Sequence, residues 1–115
     1  MAEFMFVLRG DPKNWGTSEK EQEKIMNGFS AWVDSLGEHY QECARLRPKM
    51  ARVSAVGNSV SVDGPFTETK ELFSGIFRIE ATDFDKAVAL ARTCPMLQLG
   101  EDILVMPVWA RGGKS

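Results

Sequence analysis

The spacing of apolar residues changes several times along the chain, and each change marks an element. Glu3 to Arg9, "EFMFVLR", holds five apolar residues in succession, the pattern of a strand buried on both faces. The Gly, Pro and Asn of "GDPKNWG" then break the run into a loop. From Ser18 onward Ile25, Met26, Phe29, Trp32, Val33 and Leu36 recur at helical spacing, which predicts a helix over roughly Glu19 to Leu36 with one apolar stripe. Ser18 and Glu21 make a capping-box pattern at its start, and Gly37 supplies a stop.

"HYQECARLRP" fits strand and helix alike. The next stretch, "ARVSAVGNSVSVDG", does not: Val53, Ala55, Val60 and Val62 alternate with polar residues around Gly57-Asn58, which predicts a tight hairpin. "LFSGIFRIEA" reads as a further strand, with Gly75 marking a bulge or a close backbone approach. In "TDFDKAVALAR" acids come first and Arg92 last, the charge order that suits a helix dipole, while Phe84, Ala87, Val88 and Ala91 form an apolar face. "DILVMPVW" is apolar on both faces and predicts another buried strand, in which Pro107 implies an end or an edge. Residues 110–115, "ARGGKS", are expected to be a flexible tail.

Strand, helix, several strands, helix, strand is the order of an α+β fold: a ferredoxin-like antiparallel sheet with two helices on one face. At 115 residues the chain, 1–115, is expected to form a single domain. Two helices cover one side of such a sheet, and Met5, Val7, Leu104 and Met106 cannot all point at them. A second copy over the far face would bury the remainder, so a homodimer is expected.

Composition narrows the partners. With 43% apolar residues, 26% charged and a net charge of -2, the chain is an ordinary globular sequence with no general affinity for nucleic acid. "MAEFMFVLRGD" lacks the basic start and long apolar core of a signal peptide, and no stretch approaches the ~20 apolar residues of a membrane helix. No membrane partner is expected. Cys43 and Cys94 are then expected to be reduced thiols in a cytoplasmic protein.

Candidate chemistry concentrates at "SVDGPFTETKE", Ser61 to Glu71. Asp63-Gly64-Pro65 carries three residues that bend a chain, and is expected to be a turn. Thr67, Glu68, Lys70 and Glu71 crowd donors and acceptors beside it, as either a solvated segment or the wall of a pocket. Asp11 and Trp15, in the loop after the first strand, could close over the same end of the sheet. In "RLRPKMAR" extended geometry would set Arg45, Arg47 and Lys49 on one side as an anion site, with Arg52 best placed to reach a pocket. His39, just past a helix end, reads as a surface residue, and Cys94 as a buried one. Trp15 and Trp109 could cap a core edge or line a pocket mouth. The chain contains no Gly-rich phosphate loop, no paired-cysteine metal pattern and no Gly-x-Ser-x-Gly turn, so no metal and no cofactor is expected.

At "DGPFTETKE" the chain resembles the YCII-related, DGPF-containing family, and the likeness extends through the Gly75 strand, "DFDKAVALARTCP" and "LGEDILVMPV". It also takes in the opening "FMFVLRGD". The resemblance implies a ferredoxin-like fold of the dimeric α+β barrel type, in which two sheets pack face to face. The wider superfamily mixes enzymes acting on small, often aromatic, molecules with proteins of no known reaction. A His-Asp pair suggested as catalytic in the wider YCII-related group does not carry over: the first helix has no histidine, and Cys94 precedes Pro95 where that group has an acid. An association of the family with extracytoplasmic-function sigma factors implies a stress-response setting.

The expectation is a homodimer that binds a small polar or aromatic molecule in a cleft near the DGPF segment. Were a reaction to follow, Glu68 or Asp63 would be the acid-base group, with Lys70 or Arg52 as anion partner and Thr67, Asp11 and Trp15 completing the site. The alternative is a non-catalytic interaction or regulatory module in which the segment fixes the dimer.

Overall fold

The computed structural model describes residues 1–10, 16, 18–46, 49–66 and 73–109, with no side chains for Pro65 and Phe66. Among the described residues six strands and two helices follow one another: β1 (Ala2–Arg9), α1 (Glu19–Leu36), β2 (Tyr40–Arg45), β3 (Met50–Val56), β4 (Ser59–Phe66), β5 (Phe73–Ala81), α2 (Phe84–Ala91) and β6 (Asp102–Pro107). Short 3-10 turns stand at Gly37–His39 and Pro95–Leu99. The main sheet has the order β2-β5-β1-β6 with every neighbouring pair antiparallel. That is the ferredoxin-like arrangement. The hairpin β3–β4 is a separate two-stranded sheet inserted between β2 and β5.

Helix α1 has the expected bounds because its ends are chemically marked. The Ser18 side chain accepts a hydrogen bond from the Glu21 backbone N–H at 3.1 Å, and Gly37 takes φ +57° at the stop. Asp83 caps α2 in the same way, accepting from the Lys86 N–H at 2.8 Å. The helices lie on the face that carries Phe4, Phe6 and Leu8 of β1 with Phe77, Ile79 and Ala81 of β5. Phe29 and Trp32 of α1 meet Phe77 with ring centroids 5.6 and 6.0 Å away, and the Trp32 indole N–H donates to the Thr93 hydroxyl at 2.8 Å. This three-ring cluster fixes α1 on the sheet while the indole bond ties it to the end of α2.

Among the described residues no element lies on the opposite face of the sheet. Register places Val7 between Ile76 and Leu104, and Met5 between Arg78 and Met106, in two rows across three strands. Leu104 and Met106 are exposed, whereas β6 was expected to be buried on both faces; it is an edge strand that ends at Pro107, so only Ile103 and Val105 reach the core. Arg78 lies on the same open face between Glu3, at 3.6 Å, and Glu42, at 3.4 Å.

Two further expectations change. Asp63-Gly64-Pro65 is not a turn: β4 continues through it as a bulge, because the partner register slips between Met50 and Arg52 and Gly64 takes φ +118°. A bulge needs the same residues as a turn, a glycine for positive φ and a proline where no ladder N–H is required. Trp109 caps no core edge, being 99% exposed. At Gly75 the expectation holds, with the β1–β5 register slipping beside it and the Ala44 carbonyl 3.4 Å from where a Cβ would stand. The tail 110–115 lies outside the described residues.

Phe77 is fully buried at the centre of the ring cluster, so Phe77→Ala should cost about 3–5 kcal/mol, a large part of the ~5–15 kcal/mol that holds a domain folded. Urea unfolding measures it, and a loss under about 1 kcal/mol would show that the cluster does not organise the core.

Candidate functional site

Of the seven residues singled out in the sequence, Arg52 and Asp63 are described, and the structure brings them together. They face each other across β3 and β4, with Arg52 Nη2 3.5 Å from Asp63 Oδ2, both well exposed on the hairpin. An exposed pair at that distance is weakly coupled and leaves neither group in a pocket. Asp11, Trp15, Thr67, Glu68 and Lys70 lie outside the described residues, as does Arg47 of the basic run. Arg45 ends β2 and folds back on α1, its guanidinium 5.0 Å from the Phe29 ring centroid, so the run does not form one extended cationic edge with Arg52.

The described cavity lies elsewhere. It is a cleft of about 500 Å3 between the first half of α1 and the Pro95–Leu99 turn. Ile25, Gly28, Pro95, Met96 and Leu99 make its apolar part, while Glu21, Lys24 and Gln98 add an acid, a base and an amide. Volume and lining suit a small molecule with an apolar body and a few polar groups. Neither Arg52 nor Asp63 lines it.

Gly28 explains why the cleft is open. It stands inside an 18-residue helix, where glycine costs about 1 kcal/mol relative to alanine, and a Cβ there would meet nothing within 4 Å. No close packing demands the glycine, so its local effect is to leave the cleft without a side chain at that point. An interior glycine in an otherwise regular apolar stripe is the sequence signal that could have pointed here.

Beside the cleft the sheet end holds a second feature that sequence reading missed. Glu101, two residues past Leu99, is 4% exposed, and its carboxylate accepts from the Ser74 hydroxyl at 3.4 Å. A Cβ at Gly10 would collide with the Glu101 side chain, so glycine at the end of β1 makes room for a buried acid. Arg9 and Phe73 are register partners at this same end. The chain therefore leaves Gly10 towards Asp11 and Trp15, and arrives at Phe73 from the 67–72 segment, at neighbouring points. Gly16, where the first of these segments returns, lines the cleft. A lone acid in a strand-end loop has no periodicity, which is why Glu101 was not singled out.

The remaining reactive groups do not enter the cleft. His39 is at the other end of the sheet, its Nδ1 2.8 Å from the Glu80 carbonyl oxygen, to which it donates. Cys43 and Cys94 are unbridged thiols. Burial pushes the Cys94 thiol up to about 11, which favours its protonated form at neutral pH. Among the described residues no group of histidine, cysteine or acid side chains is gathered to hold a metal, and no helix is long and apolar enough to cross a membrane.

The YCII-related domain family matches residues 3–109, nearly the whole chain, and the chain belongs to that family. An uncharacterized protein of Rhizobium meliloti strain 1021 is 33% identical over 84 residues, covering 65% of this chain; the match spans 64% of that relative's length. Among solved structures, the 5-chloro-2-hydroxyhydroquinone dehydrochlorinase of Burkholderia phenoliruptrix AC1100, in complex with 2,5-dihydroxybenzoquinone, superposes with a TM-score of 0.58 over 96% of this chain and 95% of its own, at 15% identity. The fold is thereby that of the dimeric α+β barrel class.

Asp102, beside Glu101, is held below the usual carboxylate range chiefly by the hydrogen bond from Arg9, whose Nε and Nη2 donate to it at 2.9 and 3.0 Å. Because the folded value is the lower one, this stabilisation is present above the unfolded value, near 4, and is lost as pH falls through the folded value. The stability gap between wild type and Asp102→Asn should be widest at neutral pH and close below about pH 4. A gap in urea unfolding that stays constant across that range contradicts the assignment.

Proposed function

We propose that this protein is a cytoplasmic homodimer that binds a small polar or aromatic molecule in the cleft between α1 and the Pro95–Leu99 turn. The observation that carries the reading is Gly28, whose missing side chain leaves the cleft open at a cost to the helix. Ile25, Met96 and Leu99 would take the apolar or ring portion of the molecule, and Lys24, Glu21 and Gln98 its charged or hydrogen-bonding groups. Asp11 and Trp15 belong to this proposal, since their segment joins Gly10 to Gly16 at the cleft. Thr67, Glu68 and Lys70 precede Phe73 in the chain, and Phe73 is at the same sheet end as Arg9. The dehydrochlorinase of like fold, held with a dihydroxybenzoquinone, lends support to a small oxygenated ring as the class of ligand.

Pairing belongs to the same proposal because the open sheet face exposes Leu104 and Met106 beside Met5 and Ile76. The second reading, an interaction module, is favoured by one observation, the exposed apolar hairpin. Arg52 and Asp63 satisfy each other within one chain, so in that reading the valines rather than these charges would make the contact.

A thermal-shift screen of small carboxylates, phenols and quinones against wild type and Gly28→Leu tests the cleft. Leucine favours the helix and occupies the cleft. A compound at 100 times its Kd should stabilise the wild type by about 2.7 kcal/mol, several degrees in Tm, and leave the variant unmoved. Equal shifts in both proteins would place binding elsewhere.

A further inference from the structure

The hairpin β3–β4 is amphipathic, yet among the described residues its apolar face covers nothing in its own chain. Register pairs Val53 with Val62 and Ala55 with Val60 on one face, and Arg52 with Asp63 and Ser54 with Ser61 on the other. The three valines of the first face are 64–71% exposed. A lone two-stranded hairpin is at best marginally stable in water and needs a surface against which to bury such a face.

A second apolar set lies across the molecule. Leu104 and Met106 on β6, with Trp109 just beyond it, are exposed on the strand at the far edge of the sheet from β2. β2, which the hairpin follows in the chain, stands three strand spacings, about 14 Å, from β6. A two-fold axis along the strands, between two sheets packed face to face, removes that separation by bringing the β2 edge of each copy over the β6 edge of the other. In such an isologous interface, one set on each chain meets the other set on its partner, twice over.

Areas favour the same arrangement. Edge strands of six residues bound a four-stranded face of about 400 Å2, half the ~800 Å2 per partner of a standard stable interface. The hairpin strands, of seven and eight residues, offer about 200 Å2 by the same spacings, and each copy would both give and receive one. Because the received arm sits on β6, already part of that face, sheet and arm together come to about 600 Å2 per partner, three quarters of the standard size against half for the sheets alone.

We infer that the β3–β4 hairpin is an arm that reaches a second copy of this chain and lays Val53, Val60 and Val62 beside that copy's Leu104, Met106 and Trp109. The inference rests on the pairing proposed above and adds to it where the arm goes. It also gives the Gly64–Pro65 bulge a task, since a bulge bends and twists the strand that carries it and so sets the direction in which the arm leaves the body.

Photo-crosslinking tests the arm. Val60 is replaced by p-benzoylphenylalanine, light and heavy isotope-labelled proteins are mixed and exchanged, and the crosslinked peptides are mapped; light scattering on the same sample reports mass. Light–heavy crosslinks between the hairpin and the 102–109 segment are the expected result. Crosslinks confined to light–light and heavy–heavy pairs, or a dimer with no crosslink to that segment, overturn the arm while leaving pairing intact. A sample that stays monomeric while wild-type protein made alongside it is dimeric points to Val60 itself and supports the contact. Monomer in both overturns the pairing together with the arm. As a second measurement, Val60→Lys with Val62→Lys should weaken dimerisation at least tenfold while the cleft's ligand response is retained, and an unchanged dimer constant contradicts the inference.

Discussion

Two helices can cover only one face of a four-stranded sheet, and most of what distinguishes this protein follows from that constraint. On the covered face Phe4, Phe6, Leu8, Phe77 and Ile79 meet α1 and α2 in one continuous core, anchored by the contacts among Phe29, Trp32 and Phe77. On the other face Met5, Val7, Ile76, Leu104 and Met106 form an apolar surface with the Glu3–Arg78–Glu42 charges set into it. Those charges stand 3.4–3.6 Å apart, longer than the 2.7–2.9 Å of a strong charge-assisted bond.

The cleft is a product of the same geometry. Where α1 passes over the Pro95–Leu99 turn, the helix and turn are held apart on a side where Gly28 supplies no side chain. The adjoining sheet end gathers Gly10, Ser74 and a buried Glu101, so apolar walls and a buried acid stand next to each other without sharing an element. Where elements end the chain can place polar groups without disturbing the strand ladder.

Much of this fold was legible in the sequence, and the reasons are local. Helix α1 was readable to its bounds because a Ser18 cap, a stripe from Ile25 to Leu36 and Gly37 all give the same answer. The hairpin was readable from alternation around Gly57-Asn58, but not its isolation, since alternation tells which residues share a face and not what covers it. The stretch after Gly37 stayed ambiguous because β2 is an edge strand with mixed burial and no clean period. Asp63-Gly64-Pro65 was misread because bulges and turns draw on the same residues. Glu101 was invisible for a different reason: its burial is created by Gly10 and Ser74, residues far away in the chain.

The central claim is that the open sheet face is covered in solution by a second copy. Peroxide oxidation of the native protein, followed residue by residue with mass spectrometry, tests it directly at Met106, which is exposed on that face in the single chain. The account predicts that Met106 oxidises much more slowly than Met26, which lies on α1 and off the face, and catches up with it once the protein is unfolded. Oxidation of Met106 as fast as Met26 in the native protein would mean that the face is bare.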